Sequence, residues 1–467
     1  MKKAYVTVFF TIATALSLSL FISLLYGIRD SASRMKVVSA ADTAMTSAFA
    51  EYNRELWKQY NLIFTDSSYQ TRNSSMFLAE ERLKDCINTN FDESGSILLG
   101  GKDLLKLECN GVETKGVRLA TDNCGQAVYN QAVLNMKYKY GIEYFANLLE
   151  WVDVIETQNL EDSTGHEEVA EAEAALEEYG IMDYSGWIPY LSENENPDEA
   201  YLAPTSILRR VIQNPEEVSL RTIDESIYAG KRELNRGTSS ATESAGLLDK
   251  LLFREYLREK TGNYATPKEG SCLSYETEYL IVGKSSDVKN LQSVVYRILI
   301  IREAANMITL LSDDTKMLAI DVIAAAVAAL LLTPAVATIV KSVIVAGWSY
   351  FESIADLKVL MAGKEVPLIK RSDDWQTDLD SVLSGIGNSN GHEMSGLGYE
   401  DYLRIFLYLN SDETLIPRLM TVMETDIRNV EGYEAFRIDN CFDDWEVNIY
   451  VSSMYGYDYY CSKRKKN

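Results

Sequence analysis

Histidine is nearly missing. Two residues in 467, His166 and His392, leave almost no material for a His-built metal cage, so neither a metal nor another cofactor is expected. Proline is scarce at 8 residues, and with 46% hydrophobic residues the composition excludes a disordered chain and favours an ordered, helix-leaning one. Cations are outnumbered: Lys plus Arg is 45 against 69 Asp plus Glu, a formal charge of −24. A nucleic-acid partner is therefore not expected, because neutralising phosphates takes clustered cations and this chain presents the opposite field. Cysteine is limited to six residues with no Cys-x-x-Cys pair, which argues against zinc modules.

What the sequence does have begins at its start. Residues 4–28 carry no formal charge, with MKK before them and RDSASRMK after. Twenty-five residues exceed the roughly 20 needed to cross a hydrocarbon core of about 30 Å, and also the shorter apolar region of a cleaved signal peptide. The expectation is an uncleaved signal anchor in a bacterial cell membrane, with residues 1–3 in the cytoplasm. Cations flank both sides, Lys2 and Lys3 against Arg29, Arg34 and Lys36, so local charge alone nearly ties the orientation.

The cysteines tip it. Cys86, Cys109, Cys124, Cys272, Cys441 and Cys461 read as three disulfides outside the cell, or alternatively as buried reduced thiols. Proximity in the chain suggests Cys109 with Cys124 and Cys441 with Cys461. The N-terminus is placed inside and the body outside.

Beyond Arg29, Val38, Ala41, Met45, Ala48, Tyr52 and Leu56 recur at helical spacing. An unbroken helix from Ala4 to Tyr60 would make a rod of about 85 Å. Within the membrane Thr7, Thr11 and Thr14 share one face, a candidate surface for packing against another helix, unless each hydroxyl bonds back to its own backbone. A second uncharged stretch, residues 322–340, is split by Thr333 and Pro334, which read as an N-cap and first helical position. Two helices, 314–332 and 334–362, are expected to form a buried hairpin; the competing reading sends this stretch into the membrane.

Residues 126–156 read as helix and the acidic run 166–179 as its antiparallel partner. Residues 104–108 and 112–119 read as strands around an Asn110-Gly111 turn, and the alternating C-terminal stretch FDDWEVNIYVSSMYGYDYYC as further strand. Loops are expected at 194–204 and 385–398. The tail Lys463, Arg464, Lys465 and Lys466 reads as a solvated basic end, with docking on acidic polymers, a neighbouring subunit or its own surface as alternatives. The expected divisions are a 29–64 helical extension, a 65–125 mixed segment with a hairpin, a 126–185 helical arm, a 186–432 helical body and a 433–467 β segment. The fold class is mainly α with small β additions, α+β, carried on a single N-terminal transmembrane helix.

Catalytic patterns fail on context. Gly387, Ser389 and Gly391 satisfy Gly-x-Ser-x-Gly, with His392 following, but Gly, Ser and Asn surround them instead of the strand and helix a nucleophile elbow needs. Gly283, Lys284 and Ser285 resemble the end of a phosphate loop, yet Glu278 stands where its first glycine belongs. The pairs Asp313 with Asp314, Asp373 with Asp374 and Asp443 with Asp444 are expected by chance among 69 carboxylates.

Several long phrases occur in order: AADTAMTSAFAEYNRELWKQYNLIF (40–64), ATDNCGQAVYNQAVLNMKYKY (120–140), YETEYLIVGKSSDVKNLQSVVYRILIIREAAN (275–306), SYFESIADLKVLMAGKEVPLIKRSDDW (349–375) and GLGYEDYLRIFLYL (396–409). Together they resemble an uncharacterised family of bacterial membrane-anchored proteins encoded with tight-adherence (Tad) pilus genes, the N-terminal part being similar to TadE/TadG-type anchors. The resemblance implies an outward-facing, pilus-associated protein and no catalytic residues. One departure stands out: MKKAYVTVFF has neither the glycine nor the glutamate of a pilin processing site. The expected function is a non-enzymatic structural or assembly component of a Tad-type pilus or secretion apparatus. Its expected partners are the membrane, pilin-like or pilus-assembly proteins, and further copies of itself through the anchor. The alternative is an anchored envelope hydrolase or ligand-binding protein.

Overall fold

With no proline to interrupt it, the N-terminal sequence forms a single helix, α1 (Lys2–Ala50), 49 residues and about 74 Å long. The computed structural model describes residues 2–71, 75–92, 105–160, 206–238, 246–330, 332–383 and 394–466. The two halves of α1 differ. Fifteen large apolar side chains between Tyr5 and Ile28 stand exposed, whereas Val37, Ala40, Ala41, Ala44, Met45 and Phe49, spaced by three and four, are buried. The expected continuation to Tyr60 fails at residues 51–53. There the Asn53 N–H donates to the Phe64 carbonyl (2.8 Å), and Asn53 Oδ1 accepts from the Leu56 N–H (2.9 Å). A new helix, α2 (Arg54–Tyr60), starts on that cap and ends on a left-handed Asn61.

The chain forms two compact units interleaved along the sequence: 1–131, 232–244 and 427–467 in the first, 132–231 and 245–426 in the second. The first unit holds an antiparallel sheet of β1 (Thr65–Asp66), β2 (Leu107–Leu119), β3 (Cys441–Ser453) and β4 (Tyr457–Lys466). Strand β3 is central. It pairs with β2 from Leu107↔Ser453 to Leu119↔Phe442, while β4 and then β1 line its other edge. Trp445, Val447, Ile449 and Val451 alternate into the core, where they meet α1 and α3 (Phe77–Phe91) through Ala79, Leu83, Ile87 and Phe91. The open side of β2 is covered by residues 235–238: Thr238 N–H donates to the Val117 carbonyl (2.9 Å) and Gly237 N–H to Asp122 Oδ1 (2.8 Å).

Asn110-Gly111 does not turn the chain. The register shifts between Cys109 and Gly111, a bulge within one continuous strand, because β3 supplies a partner to both halves. The hairpin lies instead at the C-terminus, where Gly456 (φ +81°) closes the β3–β4 turn.

Helix α4 (Asp122–Lys137) carries the chain from the first unit to the second; its residues Asn123, Cys124 and Gly125 are left-handed. The helix expected over 126–156 is interrupted: after α4 come a 3₁₀ turn (Ile142–Phe145) and α5 (Ala146–Thr157). The partner expected at 166–179 lies outside the described residues. The second unit continues with α6 (Ile207–Val211), α7 (Leu247–Lys260), α8 (Glu276–Val282), α9 (Asp287–Leu311), α10 (Asp314–Leu330), α11 (Val336–Met361), α12 (Leu379–Leu383) and α13 (Tyr399–Leu409). Helix α14 (Asp412–Arg428) returns the chain to the first unit. Helices α9 and α11 pack together with α10 against α11, and Gly363 (φ +77°) follows the end of α11. The hairpin of α10 and α11 is not buried throughout. On α10 only one face is covered, through Ile320, Ala324 and Ala328, while Leu318, Val322 and Leu330 are exposed.

Candidate functional site: an apolar helix on a sheet and a buried ionic clasp

Where α1 is buried, β4 runs along it. Tyr459 Oη donates to Asp30 Oδ1 (3.2 Å), Lys463 Nζ pairs with Asp42 (2.6 Å), and Lys465 Nζ donates to Thr46 Oγ1 (2.9 Å). The basic tail is therefore not a loose end but a strand along the protein's own surface, with Arg464 held bidentate by Asp444 (2.6 and 2.8 Å) while Arg464 and Lys466 keep exposed side chains. Toward the N-terminus the large apolar side chains of the helix stand exposed, outside the core of the described residues. Covering fifteen large apolar side chains removes a hydration cost on the order of 20 kcal/mol, a driving force for an apolar surrounding. On that half, Thr11 Oγ1 donates to the Val8 carbonyl and Thr14 Oγ1 to the Phe10 carbonyl (both 2.8 Å), so these hydroxyls bond within their own helix.

No disulfide joins any of the six cysteines. Cys109 pairs in register with Val451 near the start of β2, while Cys124 follows the far end of that strand, a chain separation of about 30 Å at 3.3 Å per residue. Cys461 faces Ile449, eight positions along β3 from Cys441, again more than about 20 Å. A disulfide needs Cα atoms within about 7 Å, so neither expected pair is joined. Cys109 and Cys461 fill the first unit's core as small apolar groups, Cys86 packs on its margin, and Cys124 is exposed. Cys272, in the second unit, is pushed up to about 11 by burial and the nearby Asp426 carboxylate.

The second unit encloses four full charges. Arg302 on α9, Glu352 and Asp356 on α11, and Lys370 beyond α11 have side chains with no exposure. Arg302 Nη2 and Nε reach Asp356 Oδ2 (2.7 and 3.0 Å), and Nη1 donates to the Pro367 and Leu368 carbonyls (2.7 and 2.9 Å). Lys370 bridges Glu352 and Asp356 Oδ1. Glu352 accepts from the N–H groups of Gln376 and Thr377, and Asp356 also from Asn306 and Gln376 side chains. Two cations balance two anions. Burial opposes the Arg302 charge, but Asp356 and Tyr402 together outweigh it and hold the guanidinium above its usual range. The arrangement pins residues 367–377 to α9 and α11.

A second acidic group surrounds α8. Glu278 accepts from Tyr264 N–H (2.8 Å) and Tyr399 Oη (2.6 Å), and burial raises it to about 7. Glu276 accepts from Gly262 N–H (2.9 Å) and is raised well above its usual value by burial and by Asp426. Asp287 accepts from Ser219 Oγ and the Ser274 N–H, and burial raises it too. These carboxylates organise loops by taking up backbone N–H groups. Burial alone raises Glu303, on α9, to about 8.

The paired acids of the sequence separate. Asp313 caps α10 by accepting from Thr315 and Lys316 N–H groups. Asp374 accepts from Arg371 N–H, Asp443 pairs with Arg118 and Asp444 with Arg464. Gly283 ends α8 in a left-handed conformation against Arg418, whose Nη1 donates to the Leu280 and Ile281 carbonyls. Residues 387–392, with the Gly-x-Ser-x-Gly pattern, lie outside the described residues. Among the described residues no group of three or more His, Cys, Asp or Glu is placed to hold a metal ion. The clasp itself was missed from the sequence, although Glu352 and Asp356, four apart with Ser349 and Ser353 on an apolar helix, mark a polar stripe on a buried face.

No curated protein and no solved structure matches the chain. A family model described as a family of unknown function, DUF5702, matches residues 192–453, which takes in the clasp, the α8 acids and the whole of β3. That match spans more than half of the sequence, and the chain belongs to the DUF5702 family.

Proposed function

We propose that this chain is a non-enzymatic structural or assembly component of a bacterial cell-envelope apparatus of the Tad pilus class. In this reading residues 4–28 stay in the membrane, the N-terminus is inside and the body outside. The observation that carries it is the division of α1: one continuous helix is exposed and apolar in its first half and built into the core of a sheet in its second. Such a helix transmits the position of an anchor directly to a folded body, with no flexible joint between them. The clasp in the second unit supports a scaffold role, since its charges are neutralised by one another. With no disulfide among the cysteines, the outward orientation rests on the resemblance to Tad-associated proteins.

Protease added to intact, wall-stripped cells should degrade the body while leaving an N-terminal fragment in the membrane. Mild crosslinking followed by mass spectrometry should recover pilins or secretion-platform proteins. A body spared by protease, or full-length protein in the soluble fraction after lysis, overturns the topology. Recovery of no envelope-assembly protein, together with turnover of wall fragments by the purified protein, overturns the function.

A further inference from the structure

The end of the uncharged run and the tip of the C-terminal hairpin meet. Arg29 is the first charge after residues 4–28, and its guanidinium lies over the Tyr455 ring at 3.3 Å and the Tyr26 ring at 5.6 Å. Arg29 Nη2 is buried beneath these rings and has no hydrogen-bond partner among the described residues. Asp30, the next residue, accepts from Tyr459, and one turn further along α1 Arg34 stands over the Tyr459 ring at 5.8 Å.

The direction of β4 fixes which way the tip points. Its partners on α1 move from Asp30 at Tyr459 to Asp42 at Lys463 and Thr46 at Lys465. The strand's start, and the turn before it, therefore lie toward the apolar half of α1. That turn is closed by Gly456 N–H on the Ser453 carbonyl (2.9 Å) and tied to the residue before β2 by Met454 N–H on the Lys106 carbonyl (3.1 Å). It presents Met454 (80% exposed), Tyr455 (45%) and Tyr457 (44%) to the surroundings. Tyrosine combines an apolar ring with a polar tip and concentrates where hydrocarbon gives way to headgroups.

We infer that the β3–β4 turn is a second membrane contact: Met454, Tyr455 and Tyr457 rest in the headgroup layer beside the exit of α1, with Arg29 stacked against the tyrosine rings and holding the turn to the helix. The inference rests on α1 being a membrane anchor. Its consequence is mechanical: an anchor helix alone can tilt in the bilayer and carry the rigidly attached body with it, whereas helix and turn together make two points of support and set the sheet's tilt. Asp458, the first acid after the tip, limits how deep the turn can sit, because a carboxylate is costly in hydrocarbon.

The test places the photoreactive residue p-benzoylphenylalanine singly at positions 454, 455, 457, 450 and 21 of the full-length protein in its native membrane, with adducts read by mass spectrometry. Lipid adducts are expected at 454, 455 and 457, as at Phe21 in the anchor, with none at Tyr450, which lies farther from the tip on β3. Lipid adducts at 21 but not at the tip overturn the second contact and leave the anchor standing. Adducts at the tip only with another copy of the chain or another protein overturn it as well. No lipid adduct at any position overturns both readings.

Discussion

Arg302 and Lys370 have no exposure to solvent, so their charges depend on Glu352 and Asp356 being ionised beside them. Replacing Asp356 by Asn removes one anion and leaves two buried cations facing one, at a cost of about 3–5 kcal/mol. Chemical denaturation should register that loss, and the pair Arg302→Met with Asp356→Leu should cost less than the sum of its single changes. Glu278 behaves oppositely. Its folded-state value of about 7 lies above the ordinary 4.5, so the folded protein holds a proton that the unfolded chain releases. The associated stability is present in full below pH 4.5 and lost as pH rises through 7, about 3 kcal/mol in all. Glu303, raised to about 8, acts in the same direction. Unfolding free energies measured between pH 5 and 8.5 should fall with pH, and Glu278→Gln should flatten that slope; an unchanged slope would show that Glu278 does not set it. Gly237 is constrained by space: a Cβ there would lie 2.5 Å from the Val117 carbonyl and against the Asp122 carboxylate. Gly237→Ala should lower the melting temperature through a cost of about 1–3 kcal/mol, by prising residues 235–238 off β2.

At the scale of elements, α1 shows how much periodicity reveals. The uncharged run and the three-and-four spacing of Ala41 and Met45 were both readable, and the structure has one long helix there. Its end at Ala50 was not readable, because it depends on Asn53 meeting Phe64, a contact made only after the chain folds back. Ala44 has no exposure where α1 enters the core, so Ala44→Leu should overpack it and cost about 1–3 kcal/mol. Leu16→Ala on the bare half should leave the melting temperature of the detergent-solubilised protein unchanged. Equal losses from both would contradict the division of the helix. Asn110-Gly111 carries the opposite lesson. A local turn signal was overridden by a strand more than three hundred residues away that offered continuous pairing, and the turn residues became a bulge.

Across the whole molecule, each unit is assembled from distant stretches, with β1, β2 and α3 of the first unit completed by the last strands of the chain. Buried thiols report on that assembly. Cys124, exposed, should be alkylated in the native protein, while Cys109, Cys441 and Cys461 should react together only as the first unit unfolds. Mobility on non-reducing and reducing gels should be the same. Native labelling of Cys441 and Cys461 at the rate of Cys124 would contradict the packing.

The amino-acid sequence by itself determined the long apolar helix, the helix-dominated composition, the break in the apolar run around Thr333-Pro334 and the β character of the C-terminal stretch, because these follow from local hydrophobicity, period and proline. The cap at that break departs from the local pattern, since the second helix starts at Val336 on Ala335 and not on Thr333. The tertiary structure alone decided the strand partners, the separation of the cysteines, the use of the basic tail as an edge strand and the closing of four charges into one clasp. Each of these depends on which residues far apart in the chain come within a few ångströms of one another, and no local pattern encodes that distance.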